Sequence, residues 1–142
     1  MNWKSIAIHA LLLLAVGIAY GILEPQLSSD SPKVLLLSYL IAECALHLVN
    51  ASIFAHLAFK VEAHSFAHTL LALLLSHEAA SVLLNSLLLY LQVQPSTRPL
   101  PMFLFEYALL LGALAAGTFV GVRLRCRKHT RPSAAAGGAA NA

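Results

Sequence analysis

Charged side chains are scarce in this chain, and cysteines are almost absent. Asp, Glu, Lys and Arg make up 11% of the 142 residues, whereas hydrophobic residues make up 59%. That balance is typical of a single-domain membrane protein and excludes an ordinary soluble domain. The two cysteines, Cys44 in an apolar segment and Cys126 in a basic one, are not placed to form a disulfide.

Sequence signatures of catalysis are also missing. The chain has no glycine-rich phosphate loop and no recognisable nucleophile–base pairing, so we predict no enzyme, no cofactor and no small-molecule substrate. Five of its nine basic residues follow the last apolar segment, namely Arg123, Arg125, Arg127, Lys128 and Arg131. Without interleaved aromatic residues this cluster indicates lipid head groups and excludes nucleic acid. Within it, Cys126 has the setting of a palmitoylated cysteine, and an ordinary reduced thiol is the alternative.

Four apolar segments are each long enough to cross the roughly 30 Å hydrocarbon core of a bilayer as a helix. They run over residues 5–23, 34–59, 66–91 and 102–122, and prolines mark the first and third connections. The sequence therefore predicts an all-α integral membrane four-helix bundle with short loops over residues 1–131. An Ala/Gly-rich tail over residues 132–142 is predicted to be disordered. For the first segment a cleaved signal peptide is the alternative, because Ala19-Tyr20-Gly21 fits a cleavage site.

Charge also predicts the orientation of the bundle. The basic cluster places the C-terminus in the cytoplasm, and four spans then place the N-terminus, with Lys4, on the same side. The second connection, which begins at Lys60, is predicted to be cytoplasmic too. Counting residues from these ends places His9, His56 and His68 in one layer near the cytoplasm.

Five ionisable side chains lie deeper in the apolar segments, where a charged group costs roughly 2.5–3.5 kcal/mol. Counting from the cytoplasmic ends places His47, His77 and Glu78 near the middle of the bilayer, and Glu43 and Glu106 further out. We predict that these five residues form a buried polar lock that fixes how the helices pack. Glu43 and Glu106 are expected to share a proton or a hydrogen bond.

Small residues recur on one face of two of the segments. Gly17 and Gly21 lie one helical turn apart in the first segment, and Gly117 and Gly121 do so in the fourth, on the same face as Glu106. Because glycine lets two helix backbones approach closely, we predict that these four glycines are helix-packing positions.

Three chemical alternatives remain open for the ionisable residues. A zinc or iron site would use Glu43, His47, His77 and Glu78, although their spacing matches neither the protease motif nor the di-iron motif. A b-type haem would be held by one histidine from the second segment and one from the third, either His47 with His77 or His56 with His68. A proton or ion path would run through the same carboxylates and imidazoles.

Several short motifs occur in a fixed order along the chain. They are Ala7-Ile8-His9, Glu43-Cys44-Ala45, Ala63-His64, Glu106-Tyr107-Ala108-Leu109 and the basic C-terminal segment. In these features the chain resembles the transmembrane protein 107 family, four-span proteins of the ciliary transition zone. The resemblance covers most of the chain, and His47, His56 and His77 lie outside it.

The resemblance implies a non-enzymatic scaffold in the Meckel-syndrome-type complex at the ciliary base. Its partners would be membrane lipids and other transition-zone membrane proteins, and it would support ciliogenesis and the protein composition of the ciliary membrane. A small transport or redox subunit that uses the intramembrane His and Glu residues is the alternative function.

Overall fold

Four long helices account for most of the structure. The computed structural model describes residues 2–23, 31–92 and 100–129. In this part of the chain the helices are α1 (Trp3–Leu23), α2 (Pro32–Lys60), α3 (Ser65–Leu91) and α4 (Leu100–His129). Each is long and apolar enough to cross a membrane, so the prediction of an all-helical chain with four such segments is confirmed. The predicted tail, residues 132–142, lies outside the described residues.

The helix ends differ slightly from the predicted spans. Pro32 and Pro101 lie in the first turns of α2 and α4, where the N–H group that proline lacks would have no partner within the helix. At its other end α4 continues past the predicted limit at residue 122 and reaches His129. Most residues of that basic extension are arginine, lysine or leucine, which are strong helix formers.

Contacts between helices give their relative directions. In the contacts between α2 and α4 the residue numbers rise together on both helices, so these two helices are parallel. The pairs are Tyr39–Glu106, Ala51–Gly117, Ala55–Gly121 and Ala58–Arg125. Helices α1 and α2 are antiparallel, because Tyr20 contacts Glu43 while His9 contacts His56. Helices α3 and α4 are also antiparallel, as the pairs His77–Tyr107 and Thr69–Thr118 show. The chain therefore runs up and down through the four helices.

The helices are not packed simply in sequence order. The most extensive packing joins α2 to α4, and the next joins α1 to α3. Helices α2 and α3 each contact the other three, so they form the middle of the arrangement, with α1 and α4 on opposite sides.

Packing is tight at one end of the molecule. We call this end the close-packed half; it is where α1 and α3 begin and where α2 and α4 end. Its largest fully buried side chains are Phe54, Ile6, Leu57, Leu114 and Thr69. The opposite end, where α1 and α3 end and α2 and α4 begin, has fewer buried side chains and is called the cavity half.

Glycine makes the close contact between α2 and α4 possible. A Cβ atom on Gly117 would lie 3.0 Å from the Cα atom of Ala51 and would overlap the Ala51 carbonyl oxygen. A Cβ atom on Gly121 would lie 2.9 Å from the Ala58 Cβ atom and would overlap the Ala55 carbonyl oxygen. At these two positions only a hydrogen atom fits between the backbones.

An arginine of α4 completes the C-terminal end of α2. The Arg125 Nη1 group donates to the Ala58 carbonyl oxygen at 3.0 Å and to the Ser65 hydroxyl at 3.2 Å, and Ser65 in turn donates to the Val61 carbonyl oxygen at 3.1 Å. The last carbonyl groups of a helix have no partner within it. This arginine therefore binds α4 to the end of α2 and the start of α3.

The outside of the molecule is apolar. Large hydrophobic side chains are exposed on all four helices, for example Leu11, Leu48, Leu89 and Phe119. A soluble monomer rarely exposes apolar area on this scale, whereas helices that face acyl chains do.

Candidate functional site

A cavity in the cavity half collects most of the ionisable residues that the sequence singles out. Its volume is about 460 Å³, and all four helices contribute to its lining. We call it the polar cavity. Its polar lining includes Tyr20, Glu43, His47, Asn50, His77 and Glu106.

Each of its two carboxylates accepts a hydrogen bond from a different tyrosine. The Tyr20 hydroxyl of α1 donates to Glu43 Oε1 at 2.6 Å, and the Tyr39 hydroxyl of α2 donates to Glu106 Oε1 at 2.8 Å. Glu43 is only 2% exposed. Glu43 and Glu106 thus line one cavity, and each accepts a hydrogen bond from a tyrosine on a neighbouring helix. A proton or hydrogen bond shared by the two carboxylates stays a prediction.

His47 is held by the backbone one turn before it. Its Nδ1 atom lies 2.8 Å from the Glu43 carbonyl oxygen and 3.5 Å from Glu43 Oε2. A carbonyl oxygen only accepts hydrogen bonds, so Nδ1 donates to it. The i, i+4 spacing of Glu43 and His47 therefore brings them together, as predicted.

His77 and Glu78 are separated by the geometry of α3. The His77 Nε2 atom lies 3.2 Å from the Tyr107 hydroxyl, at the rim of the polar cavity. Glu78 is exposed and is not among the residues that line the cavity. Consecutive residues of a helix point about 100° apart. For this reason four of the five residues of the predicted polar lock line the polar cavity, whereas Glu78 lies on another face of α3. The prediction was wrong for Glu78.

One buried polar atom of the cavity lacks a partner. Asn50 is 7% exposed, and its Oδ1 atom is the one buried side-chain nitrogen or oxygen of the described residues that makes no hydrogen bond. Leaving such a group unpaired costs about 1–3 kcal/mol.

A second cavity adjoins the first. It lies between α1 and α3, has a volume of about 690 Å³ and is lined mainly by aliphatic side chains, among them Leu13, Leu73, Leu83, Leu84 and Leu87. We call it the apolar groove. The two spaces have several lining residues in common, namely Gly17, Gly21, Asn50, His77 and Leu110. The two cavities are therefore adjacent, with polar groups in the lining of the first and mainly aliphatic side chains in the lining of the second.

The two glycine pairs have different surroundings. Gly117 and Gly121 lie at the close contact with α2, whereas a Cβ atom on Gly17 or Gly21 would meet no atom within 4 Å. The first pair therefore lies where helix packing was predicted. At the second pair no other helix packs closely against α1, and both glycines line the polar cavity and the apolar groove.

The remaining histidines lie in the close-packed half. His9 Nε2 is 3.0 Å from His56 Nδ1, which brings together two members of the predicted histidine layer. His68 Nε2 accepts the Asn2 backbone N–H at 3.2 Å, and its Nδ1 donates to the His64 carbonyl oxygen at 2.9 Å. These rings therefore bond to protein groups.

Metal and haem binding need ligand atoms that lie close together and are free to coordinate. The described histidines meet this requirement poorly. Among the described residues, no three His, Cys, Asp or Glu side chains are grouped as metal ligands. For a haem between α2 and α3, the Nε2 atoms of both His68 and His77 already bond to Asn2 and Tyr107. Either pair of axial ligands would require these bonds to break.

The tyrosines were the functional residues that sequence reasoning missed. Tyr20 and Tyr39 lie near the ends of α1 and α2 that point into the cavity half, at depths that match Glu43 and Glu106. Counting depth for tyrosine as well as for charged residues would have found them, because a tyrosine hydroxyl at membrane depth also needs a partner.

Comparison with known proteins gives no match: no protein-family model fits the chain, and neither curated proteins nor solved structures are significantly similar to it. None of these comparisons links the chain to the transmembrane protein 107 family, and the resemblance stays a prediction.

Proposed function

We propose that this protein is a multi-pass membrane scaffold that acts without catalysis. Its four helices cross the bilayer with both termini in the cytoplasm, and its outer surface contacts lipids and other membrane proteins. Helices contain nearly all the described residues, and the described connection between α2 and α3 spans only residues 61–64. The described part of the chain therefore has little besides its helix surfaces with which to act.

The packing of α2 against α4 is the observation that carries this proposal. At Gly117 and Gly121 the two backbones touch, and Arg125 ties the end of α4 to the end of α2. A rigid pair of parallel helices with exposed leucine and phenylalanine around it presents a fixed apolar shape to neighbours in the membrane.

We place this scaffold at the ciliary transition zone, in a Meckel-syndrome-type complex. The support for the location is the ordered set of motifs that includes His9, Glu43 and Glu106. The structure adds that Glu43 and Glu106 both bond to tyrosines inside the bundle. In this role the protein would help to retain other membrane proteins at the ciliary base.

Localisation tests the proposal directly. A tagged chain expressed at low level in ciliated cells should resist carbonate extraction and concentrate at the base of the axoneme. Gly121→Ala should lose that concentration, and Gly112→Ala should keep it, because a Cβ atom on Gly112 meets nothing within 4 Å. An even distribution over the plasma membrane, or residence in mitochondria, would contradict the ciliary role.

The orientation has its own test. Cys44 and Cys126 are both exposed on the protein, so a Cys44→Ser variant leaves one native thiol in the basic end of α4. A membrane-impermeant maleimide should label Cys126 only after the plasma membrane is permeabilised. Labelling in intact cells would place the C-terminus outside.

A small transport or redox subunit is the second candidate, and the polar cavity is the observation that favours it. Two carboxylates and two imidazoles around one space are groups that pass protons. Purified protein in vesicles should then carry a proton flux that falls on His47→Leu or His77→Leu. Unchanged flux in both variants, with no Soret band and no bound metal in the wild type, would remove this candidate.

A further inference from the structure

A row of polar side chains runs along the outer surface of α3. Glu78, Ser81 and Asn85 are all exposed, and within the part of the chain that the structure describes none of them has a hydrogen bond or an ion pair. They lie on a helix that is long and apolar enough to cross a membrane. We call these three residues the α3 stripe.

The α3 stripe faces away from the other helices. The opposite side of α3 contains Ala72 and Ser76, which are buried, and Leu83 and Leu87, which line the apolar groove. Because consecutive helix residues point about 100° apart, the three stripe residues lie on the side that faces outward. No helix of the described chain is therefore placed to pair with them.

An outward polar group elsewhere in the bundle does have a partner. The Ser52 hydroxyl, exposed on α2, donates to the Leu48 carbonyl oxygen of its own helix at 2.9 Å. Ser81 makes no such bond to its own helix. Polar groups within the hydrocarbon core find no water, and ionisable ones almost always face a bundle interior or pair with other polar groups. The α3 stripe therefore indicates contact with a helix of a second molecule.

The spacing of the stripe specifies how that second helix packs. Along α3 a seam of residues recurs at alternating intervals of three and four, in the order Leu71, Leu74, Glu78, Ser81, Asn85 and Leu88. This alternation is the heptad pattern of two helices wound in a left-handed pair. The pattern places Asn85 at an a position, where a single asparagine fixes the register of the two helices and their number.

The stripe is complementary to itself. Copies of one membrane protein share one orientation, so two α3 helices related by a two-fold axis are parallel, and equal residues meet at the same depth. The Asn85 amide carries both donors and an acceptor and can pair with the same amide of a second copy. One layer away, the Ser81 hydroxyl of one copy can donate to the Glu78 side chain of the other, which accepts in either protonation state. A foreign helix with a single cation would pair with Glu78 alone, whereas a second α3 supplies partners for the whole stripe.

We propose that two copies of this chain form a parallel dimer through the α3 stripe, with the two Asn85 amides bonded to each other. The dimer is an addition to the scaffold role and does not depend on where in the cell the protein resides.

Energy transfer between copies in a bilayer tests the proposal. The full chain with Cys44→Ser is labelled at the exposed Cys126 thiol with a donor or an acceptor dye and reconstituted in phosphatidylcholine vesicles. Transfer should fall along a monomer–dimer curve as lipid is added. Asn85→Leu should raise the dissociation constant at least about tenfold, while Asn85→Gln, which keeps the amide, should raise it less than about threefold.

Control variants separate dimer formation from folding. Ser52→Ala removes an outward hydroxyl that bonds only to its own helix, so this variant should associate like the wild type. The stripe side chains bond to nothing within the described chain, so thermal unfolding of Asn85→Leu at high dilution should match that of the wild type. A variant that unfolds earlier is replaced in the comparison by Asn85→Ala.

Cysteine cross-linking identifies the face that makes the contact. In a chain that carries Cys44→Ser and Cys126→Ser, Leu74→Cys on the seam should give a disulfide-linked dimer in the membrane. Leu73→Cys, one residue away and in the lining of the apolar groove, should not, because a disulfide joins only Cα atoms within about 7 Å.

Three results would overturn the proposal. Energy transfer that is absent at every protein-to-lipid ratio would assign the α3 stripe to a helix of a different membrane protein. An unchanged dissociation constant in a folded Asn85→Leu variant would show that the amide makes no contact between copies. Equal cross-linking of Leu73→Cys and Leu74→Cys would show that the copies meet through random collision or through another face.

Discussion

The two halves of this molecule differ in how completely they pair the polar groups among their apolar helices. In the close-packed half, the Thr69 and Thr118 hydroxyls lie 3.0 Å apart and Arg125 bonds to a carbonyl oxygen and a hydroxyl. In the cavity half, carboxylates surround an open space and the Asn50 Oδ1 atom has no partner. Polar groups join helices in both halves, but of the described residues only Asn50, in the cavity half, keeps a buried polar atom without a partner.

Glycine shows the same contrast. Gly117 and Gly121 let α2 and α4 touch, while Gly17 and Gly21 have the same spacing and face open space. A pair of glycines one turn apart therefore permits a close approach without requiring it, and the packing partner decides which occurs.

The largest effect should come from filling the α2–α4 contact. Gly121→Ala places a methyl group against the Ala55 backbone, so the helices must separate. Overpacking of this kind costs about 1–3 kcal/mol, and we expect about 3 kcal/mol of lost stability because the obstacle is backbone. Unfolding of the purified protein in detergent measures it.

Gly112→Ala is the matched control for that substitution. It lies on the same helix in open space, and replacing a helical glycine by alanine in the absence of a clash raises stability by about 0.4–1 kcal/mol. Equal stability changes in the two variants would mean that α4 does not contact α2 through Gly121.

The next largest effect should come from Arg125. Arg125→Met keeps much of the apolar stem and removes the donors to the Ala58 carbonyl oxygen and the Ser65 hydroxyl. Ala58 is fully buried, and we expect a loss of about 2 kcal/mol in the free energy of unfolding. Arg123→Met, at an exposed position, is the comparison and should cost less than about 1 kcal/mol. Similar costs would contradict a specific role for Arg125.

Much of the fold could be predicted from the sequence, because its strongest signals are long apolar runs and prolines. Depth along each helix could also be counted, and it placed His9 and His56, whose rings the structure brings together, in one layer. The neighbours of each helix could not be predicted in this way. These helices are apolar all round, so no hydrophobic face indicates which side points inward, and only polar and small residues carry that information.

The candidate site was predictable only in part for the same reason. The i, i+4 spacing placed Glu43 and His47 on one face, which the structure retains. Three features depend instead on how α1 and α3 are rotated about their axes. They are the tyrosine partners of the carboxylates, the open space at Gly17 and Gly21, and the position of Glu78 outside the polar cavity. No pattern within a single apolar helix fixes that rotation.

A smaller effect, of opposite sign, is expected in the cavity half. Asn50→Leu removes an acceptor that the folded protein leaves unpaired, so it should stabilise the ligand-free protein by about 1 kcal/mol. Unfolding of the purified protein in detergent measures the change. A loss of stability would contradict an unpaired Asn50 Oδ1 atom in the folded protein.

The smallest effect should come from the hydroxyl pair of the close-packed half. Thr118→Val keeps the shape of the side chain and removes its bond to Thr69, whose hydroxyl still lies 2.9 Å from the Phe66 carbonyl oxygen and 3.2 Å from that of Ser65. Since Thr69 keeps these acceptors, the loss should be about 0.6 kcal/mol, the average for a hydrogen bond between membrane helices. If Thr118→Val destabilises the protein while Asn50→Leu stabilises it, the halves differ in bonding and not merely in packing. Equal signs would remove that distinction.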